Sequence, residues 1–332
     1  MSCIHKECYS IHKLTLFTPF TELTQTHLFM ISSQAILNIH HVAPTFPVPA
    51  GAVDCHTHIF GPLAEFPLDA KRSYTPADAS IVDLNRLHAA LGVDKVVIVH
   101  PSIYGTDNRC TLNALQVLGP SRARGVAVID ETFAMDQLRD MHAVGVRGVR
   151  VNLETFGLYD PALAIQTLEY TQKLVAPLGW HIQIFTRLDV LVSLAKFIQA
   201  MRVPLVIDHF CLVNPELGLD QPGLNILLDL LATGRVWLKL SAAYRIASNP
   251  DSESVKALAK TLIKANPDRM LWGTDWPHPG GGTPGQPRKS DGIEPFQPIN
   301  DGQAINRLAT WTSGGSELAK ILVTNPSHLY SV

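Results

Sequence analysis

The chain has 332 residues, of which 46% are hydrophobic and 17% are charged, and its formal net charge is −2. Its 27 basic and 29 acidic residues form no basic stripe and no acidic tail, which argues against nucleic acid or a membrane surface as a partner. The apolar fraction is sufficient for one large core, and α/β barrels of roughly 250 residues are common as single domains.

The first 48 residues differ from the rest of the chain. They contain no arginine, and the mildly apolar stretch 14–30 is interrupted too often by polar residues for a membrane span or a signal peptide. We predict an N-terminal extension over residues 1–48, disordered or loosely attached, followed by one domain over residues 49–332. Met30 is a candidate alternative start, which N-terminal peptide mass spectrometry would test.

Five widely spaced cysteines form no CxxC pair, so a disulfide framework and a cysteine-type zinc site are not predicted. This cysteine usage fits a reducing compartment. Together with the missing targeting signals, it leads us to expect a cytoplasmic protein.

From Ala52 onward, short apolar runs alternate with amphipathic helical patterns. The eight predicted strands cover 53–56, 95–100, 125–129, 146–151, 181–185, 204–208, 236–240 and 270–273. Helical patterns follow them at 79–91, 108–118, 135–144, from Pro161, 190–201, 223–232, 254–265 and 317–323. Continuous apolar strands separated by helices form parallel sheets covered on both faces, so eight such units predict a single (β/α)8 TIM barrel. No GxGxxG follows the first strand, which argues against a dinucleotide-binding fold.

Polar residues lie where three of the predicted strands end, which is the edge where barrel enzymes carry their chemistry. His56 and His58 are two residues apart after strand one, so their side chains point the same way on an extended chain. His209 ends strand six, and Asp275 follows strand eight beside apolar tryptophans that suit a general base. An isolated histidine pair commonly has no function, and an aspartate there can be a turn residue. Their shared position nevertheless predicts one active site, with the Gly- and Pro-rich loop 277–300 as a pocket wall.

Five segments occur in an order that resembles the amidohydrolase superfamily, specifically amidohydrolase family 2. They are GAVDCHTHIFGP at 51–62, GTDN at 105–108, GVRGVRVN at 145–152, VIDH at 206–209 and WGTDWPHP at 272–279. Over roughly residues 49–330 the chain is similar to the branch that contains 2-pyrone-4,6-dicarboxylate lactonases. The resemblance implies a carboxylic ester or lactone hydrolase. In that branch Asp275 would activate water, and three histidines would surround the scissile carbonyl: His56, His58 and His209.

The resemblance bears on the cofactor as well. Many amidohydrolases hold zinc with such groups, whereas this branch is similar to members without a tightly held metal. A site with two metal ions would require a bridging carboxylated lysine or glutamate at the end of strand four. This chain has Arg150-Val151-Asn152 there. We therefore expect that no cofactor is required. The alternative is a single divalent metal, zinc, held by His56, His58, His209 and Asp275. His181 begins strand five, too far from this edge, and is predicted to be a core residue.

Arginines at the barrel mouth suit carboxylate binding, although each can equally form a surface salt bridge. The resemblance places four residues in contact with the substrate: Tyr74, Ser102, Arg150 and Arg245. Where further arginines are expected the chain has Phe156 and Leu212, and Phe185 replaces a tyrosine. Each charged contact is worth about 1.5–3 kcal/mol. We therefore expect a small cyclic ester with fewer carboxylates than the dicarboxylate pyrone, or a more apolar one.

The favoured function is a hydrolase that opens a lactone or similar cyclic ester of a small, acidic compound, in a monomer or homodimer. Two alternatives stay open on the same barrel: a sugar-acid lactone isomerase and a metal-dependent decarboxylase. A third alternative is a non-catalytic barrel that only binds ligands. That alternative does not explain why polar residues lie at the ends of three predicted strands.

Overall fold

The computed structural model describes residues 39–155, 157–280 and 288–332. Most of the predicted N-terminal extension, Phe156 and the centre of the loop after strand eight lie outside these residues. Within the described ranges, no helix is both long and apolar enough to cross a membrane.

Eight parallel strands follow one another around the sheet in chain order. They are β1 (Val53–Thr57), β2 (Lys95–Val99), β3 (Ala123–Ala127), β4 (Val146–Asn152), β5 (His181–Phe185), β6 (Leu205–Ile207), β7 (Val236–Ser241) and β8 (Met270–Gly273). The last strand lies beside the first, because Asp275 N donates to His56 O and His58 N donates to Trp276 O, both at 2.8 Å. A Cβ at Gly273 would lie 2.7 Å from His56 N, so glycine allows this close approach. The predicted barrel is confirmed.

Seven helices link successive strands, and an eighth follows the last strand. They are α1 (Ile81–Leu91), α2 (Arg109–Leu118), α3 (Met135–Val144), α4 (Pro161–Val175), α5 (Leu188–Ala200), α6 (Leu224–Ala232), α7 (Glu253–Ala265) and α8 (Asp301–Trp311). The sequence defines such ends well: Ser80 caps α1 by accepting from Asp83 N, and Gly92 ends it with a φ of 67°.

The predicted closing helix over 317–323 lies within a longer helical segment at the C-terminus. That segment consists of α9 (Gly315–Ala319), a π-helical turn (Lys320–Thr324) and α10 (Asn325–Tyr330). The preceding α8 was not predicted, because it follows a long Gly- and Pro-rich loop and buries only a narrow apolar face, including Ile305 and Leu308.

The inside of the barrel has an apolar lower part and a polar upper part. The apolar part contains Val53, Cys55, Val97, Val99, Val126, Val206, Trp237, Leu271 and Tyr330. His181 is buried there with its ring 5.2 Å from that of Tyr330, in agreement with its prediction as a core residue. Polar interior side chains from β5 and β7, Gln183 and Lys239, are also fully buried. The apolar side chains therefore fill the lower part of the barrel, below the polar residues at the C-terminal ends of the strands.

Two peripheral contacts shape this mouth. A two-stranded ladder, which we call the clamp ladder, pairs Thr75–Pro76 with Ile293–Glu294 and ties the loop after β8 to the loop after β1. Residues 39–48, the described part of the predicted extension, contact α8 and the residue before it. Val42 N donates to Asn300 Oδ1, and Thr45 N donates to Asn306 Oδ1.

Candidate active site

The ends of β1, β6 and β8 bring the four predicted catalytic residues together. Three imidazole nitrogens surround Asp275 Oδ1: His56 Nε2 at 3.6 Å, His58 Nε2 at 3.5 Å and His209 Nε2 at 3.8 Å. All four side chains are buried. Residues that are more than 200 positions apart in the chain thus converge on one carboxylate oxygen.

The backbone that presents these side chains is strained. The turn after β6 contains four consecutive residues with positive φ: His209 (48°), Phe210 (56°), Cys211 (56°) and Leu212 (47°). Asp275 after β8 also has a positive φ, of 68°. Each left-handed non-glycine residue costs about 1–2 kcal/mol. Such strain persists only where the surroundings impose it, and it is concentrated in functional sites.

Asp275 uses its two oxygens differently. Oδ2 accepts from Arg245 Nε at 2.7 Å and from the Tyr244 hydroxyl at 2.6 Å, whereas Oδ1 has no hydrogen-bond partner among the described residues. Burial by itself would raise the pKa of Asp275, but Arg245 and His209 outweigh it and hold that pKa well below its usual range. The carboxylate is therefore ionised, and Oδ1 is the oxygen that faces the histidines.

The outer ring nitrogens of the histidines have different partners. His58 Nδ1 lies 2.8 Å from the Val99 carbonyl oxygen, which can only accept, so Nδ1 carries a proton. His209 Nδ1 lies 2.9 Å from the Ser241 hydroxyl. Burial lowers the pKa of His209 to about 4, and burial also lowers the pKa of His56 well below its usual value. The imidazoles of His56 and His209 are therefore neutral near pH 7.

A charged layer lies directly beneath His56, and sequence reasoning did not identify it as part of the site. Lys239 Nζ donates to Gln183 Oε1 at 2.7 Å and lies 3.3 Å from both Asp208 Oδ1 and His56 Nδ1. Burial tends to raise the pKa of Asp208, but Lys239 and His56 hold it well below its usual range. The available signal was a lysine inside the otherwise apolar strand VWLKL.

The four predicted substrate-binding residues line the same pocket as Asp275: Tyr74, Ser102, Arg150 and Arg245. Arg150 is buried, and its Nε has no hydrogen-bond partner among the described residues. The Asp208 carboxylate is 3.8 Å from that nitrogen, beyond hydrogen-bond distance, and the guanidinium packs 5.7 Å from the Phe185 ring. Arg150 therefore retains donors for a ligand, whereas Arg245 is paired with Asp275.

Three further polar residues line this pocket, none of them singled out in the sequence as a site residue: Asn152, Thr155 and Arg288, the last from the predicted wall loop 277–300. The Arg288 guanidinium lies 3.6 Å from the centre of the Tyr74 ring and forms an ion pair with Glu294. Its position in an irregular loop carries no periodicity signal. The clamp ladder brings that loop next to Tyr74.

Parts of this cluster could hold a divalent metal ion, with His209 in a group with His56 and Asp208 rather than with His58 and Asp275. Each of the three Nε2 atoms is 3.5–3.8 Å from Asp275 Oδ1, close to the ligand separation of about 3.3 Å in a tetrahedral zinc site. His56, His58 and Asp275 form one group that could hold a metal ion. The contact of His58 Nδ1 with a backbone carbonyl is typical of metal-binding histidines.

Comparison with known proteins relates this chain to the amidohydrolases. The family model described as amidohydrolase matches residues 53–332. A 4-sulfomuconolactone hydrolase from Hydrogenophaga intermedia is 34% identical over 296 residues, which cover 88% of this chain and 92% of that protein. A 2-pyrone-4,6-dicarboxylate hydrolase from Comamonas testosteroni is 33% identical over 297 residues, 86% of this chain and 92% of that protein.

Solved structures show the same fold. The crystal structure of a probable 2-pyrone-4,6-dicarboxylic acid hydrolase from Acinetobacter baumannii, with citric acid bound, has a TM-score of 0.71. It is 27% identical to this chain, and the match covers 85% of this chain and all of that one.

Proposed function

This chain belongs to the amidohydrolase family, and we propose that it is a hydrolase that opens the ring of a lactone of a small acidic compound. The observation that carries the proposal is the buried Asp275, whose Oδ1 faces three histidines in a pocket that also holds Arg150, whose Nε has no hydrogen-bond partner among the described residues. The lactone hydrolases at 33% and 34% identity support the same reaction class.

The proposed first step is attack by water. A water held between Asp275 Oδ1 and His58 Nε2 loses a proton to the carboxylate as its oxygen bonds to the lactone carbonyl carbon. In this proposed mechanism Lys239 Nζ, 3.3 Å away, donates to His56 Nδ1, which leaves the proton of that neutral ring on Nε2. The Ser241 hydroxyl can do the same for His209. Both Nε2–H groups then donate to the developing oxyanion.

The second step opens the ring. The tetrahedral intermediate collapses, the bond between the carbonyl carbon and the ring oxygen breaks, and Asp275 returns its proton to the departing oxygen. One lactone and one water give one ring-opened hydroxy acid or its keto form. Arg245 and Tyr244 hold Asp275 in place throughout, while Arg150 anchors an acidic group of the substrate.

Arg150→Met is expected to raise KM for an acidic lactone and to leave kcat close to the wild-type value. A lost charge-assisted contact of about 1.5–3 kcal/mol corresponds to roughly a 10- to 150-fold loss of affinity. Steady-state kinetics measure this, and Arg150→Lys, which keeps the charge but not the planar fork, should lie between the two. An unchanged KM in Arg150→Met would show that Arg150 does not bind the substrate.

We further propose that the reaction requires no tightly held metal. The groups around the site already include three cations, the buried Lys239 and Arg150 and the half-buried Arg245, against two buried carboxylates, Asp208 and Asp275, so a divalent cation would add repulsion. The alternative is one zinc ion on His56, His58, His209 and Asp275, which when bound would supply Lewis acidity at the carbonyl. His56 would then donate its Nδ1 proton to Asp208, 3.2 Å away.

Exhaustive dialysis against a chelator is accordingly expected to leave activity within about twofold of the untreated protein, because side chains supply the acid–base and oxyanion groups. The same samples are analysed by mass spectrometry for bound metal. Loss of activity that one equivalent of zinc restores would establish the metal-dependent alternative.

A panel of lactones with and without carboxylates, analysed by NMR, tests the reaction class itself. Hydrolysis gives a ring-opened acid, isomerisation gives a lactone with a displaced ring oxygen, and decarboxylation releases CO2. Ring migration or CO2 release without ring opening would replace the proposed hydrolase by one of those alternatives.

A further inference from the structure

Arg288 is a cation at the mouth of the pocket that the reaction described above does not use. It lines the same cavity as Asp275 and Arg150 but comes from the loop after β8. We propose that Arg288 is a specificity-determining residue that binds a second anionic group, so that the preferred lactone carries two anions. This inference rests on the proposed function and names its substrate class more closely.

The arginine is held in place from several sides. Its Nε donates to Glu294 Oε2 at 2.8 Å, Nη2 donates to the other carboxylate oxygen, and the guanidinium lies over the Tyr74 ring. Glu294 belongs to the clamp ladder, and Tyr74 directly precedes it. A cation fixed in this way loses little side-chain freedom when a ligand binds, which favours affinity.

The loop around Arg288 is anchored in the same manner. The Ser290 carbonyl accepts hydrogen bonds from Arg72 Nη2 and Thr75 Oγ1, at 3.1 and 2.7 Å. Arg288 is itself 34% exposed at its side chain, and in the described part of the chain its Nη1 donates to no protein group. The Glu294 pair uses one edge of the guanidinium, so Nη1 remains available to a ligand.

The charge pattern of the pocket agrees with a dianionic ligand. Sequence reasoning predicted fewer cations because Leu212 and Phe156 occupy positions where the related lactonases are expected to carry arginines. Arg288 supplies a cation from a different element. The pocket is therefore lined by Arg150 deep in the barrel, whose Nε has no hydrogen-bond partner among the described residues, and by Arg288 at the rim, which pairs with Glu294 through Nε and Nη2.

Direct binding of two matched probes tests the proposal without requiring turnover. Isothermal titration calorimetry compares isophthalate, which has two carboxylates, with benzoate, which has one. We expect Arg288→Met to weaken isophthalate binding by about tenfold, the loss of one charge-assisted contact, and to leave benzoate binding unchanged. Arg72→Met is the matched control, because it loosens the same loop without removing a cation from the pocket.

Three outcomes would overturn the proposal. They are equal isophthalate affinity in Arg288→Met and the wild type, an equal loss in Arg72→Met, or a wild type that binds isophthalate no better than benzoate. Thermal denaturation of both variants reports any loss of folding. If the isophthalate dependence holds but no lactone is hydrolysed, the anion site stands and the proposed reaction fails.

Discussion

Asp275→Asn is expected to lower kcat for lactone hydrolysis by about 1,000-fold or more while the barrel stays folded, since general-base catalysis alone is worth roughly 100- to 10,000-fold. An asparagine has the same shape and can still accept from Arg245 and Tyr244 through its carbonyl oxygen. It cannot take a proton from water at neutral pH. The effect should therefore fall on kcat, which stopped-flow or steady-state assays measure directly.

Tyr244→Phe is the matched control for this substitution. It deletes the 2.6 Å hydrogen bond to Asp275 Oδ2 but leaves the carboxylate and its Arg245 contact in place. We expect a much smaller fall in kcat, on the order of tenfold, because one neutral donor to a charged group is lost. Near-normal turnover in Asp275→Asn, with circular dichroism and melting temperature unchanged, would remove Asp275 from the mechanism.

The barrel could be predicted from the sequence because its signals are local and repeated. Each strand reads as an apolar run such as KVVIV at 95–99, and each following helix has its own cap or apolar face. Once the order of elements is known, the geometry of a parallel barrel places strand ends at one mouth. That is why HxH at 56–58, His209 and Asp275 could be expected to meet.

The parts that could not be predicted depend on contacts between distant loops and on the barrel interior. Arg288 is held at the pocket by contacts between distant loops, including the pairing of residues 293–294 with residues 75–76, which leaves no periodic pattern in the sequence. Arg245 reads as a substrate anchor, but the distance that pairs it with Asp275 Oδ2 appears only in three dimensions. Lys239 is a different case. A lysine inside an apolar strand is visible in the sequence, but its partners Asp208 and His56 are not.

Lys239→Met is expected to reduce both stability and turnover, for separate reasons. Removing the ammonium leaves the Asp208 carboxylate buried without its countercharge, which typically costs about 3–5 kcal/mol in the free energy of unfolding. His56 also loses the donor to its Nδ1, so the ring can change tautomer, with its proton on Nδ1 bonded to Asp208 and a lone pair at Nε2. With one oxyanion donor lost, kcat should fall by about 100- to 1,000-fold.

The double variant Lys239→Met/Asp208→Leu separates these two effects, because leucine, unlike asparagine, has no amide that could donate to His56 Nδ1. It removes both buried charges, so we expect it to recover much of the stability lost in Lys239→Met, as measured by denaturant unfolding. It does not restore a donor to His56 Nδ1, so kcat should stay low. Nitrogen-15 NMR of the His56 ring reports the tautomer directly, and it should change in both variants while Gln183 and the barrel remain intact. Wild-type kcat in the double variant would mean that Lys239 only stabilises the fold. A persistent loss of kcat together with a changed His56 tautomer would identify Lys239 as a positioning residue. It would then act on the substrate carbonyl indirectly, by fixing the tautomer of His56.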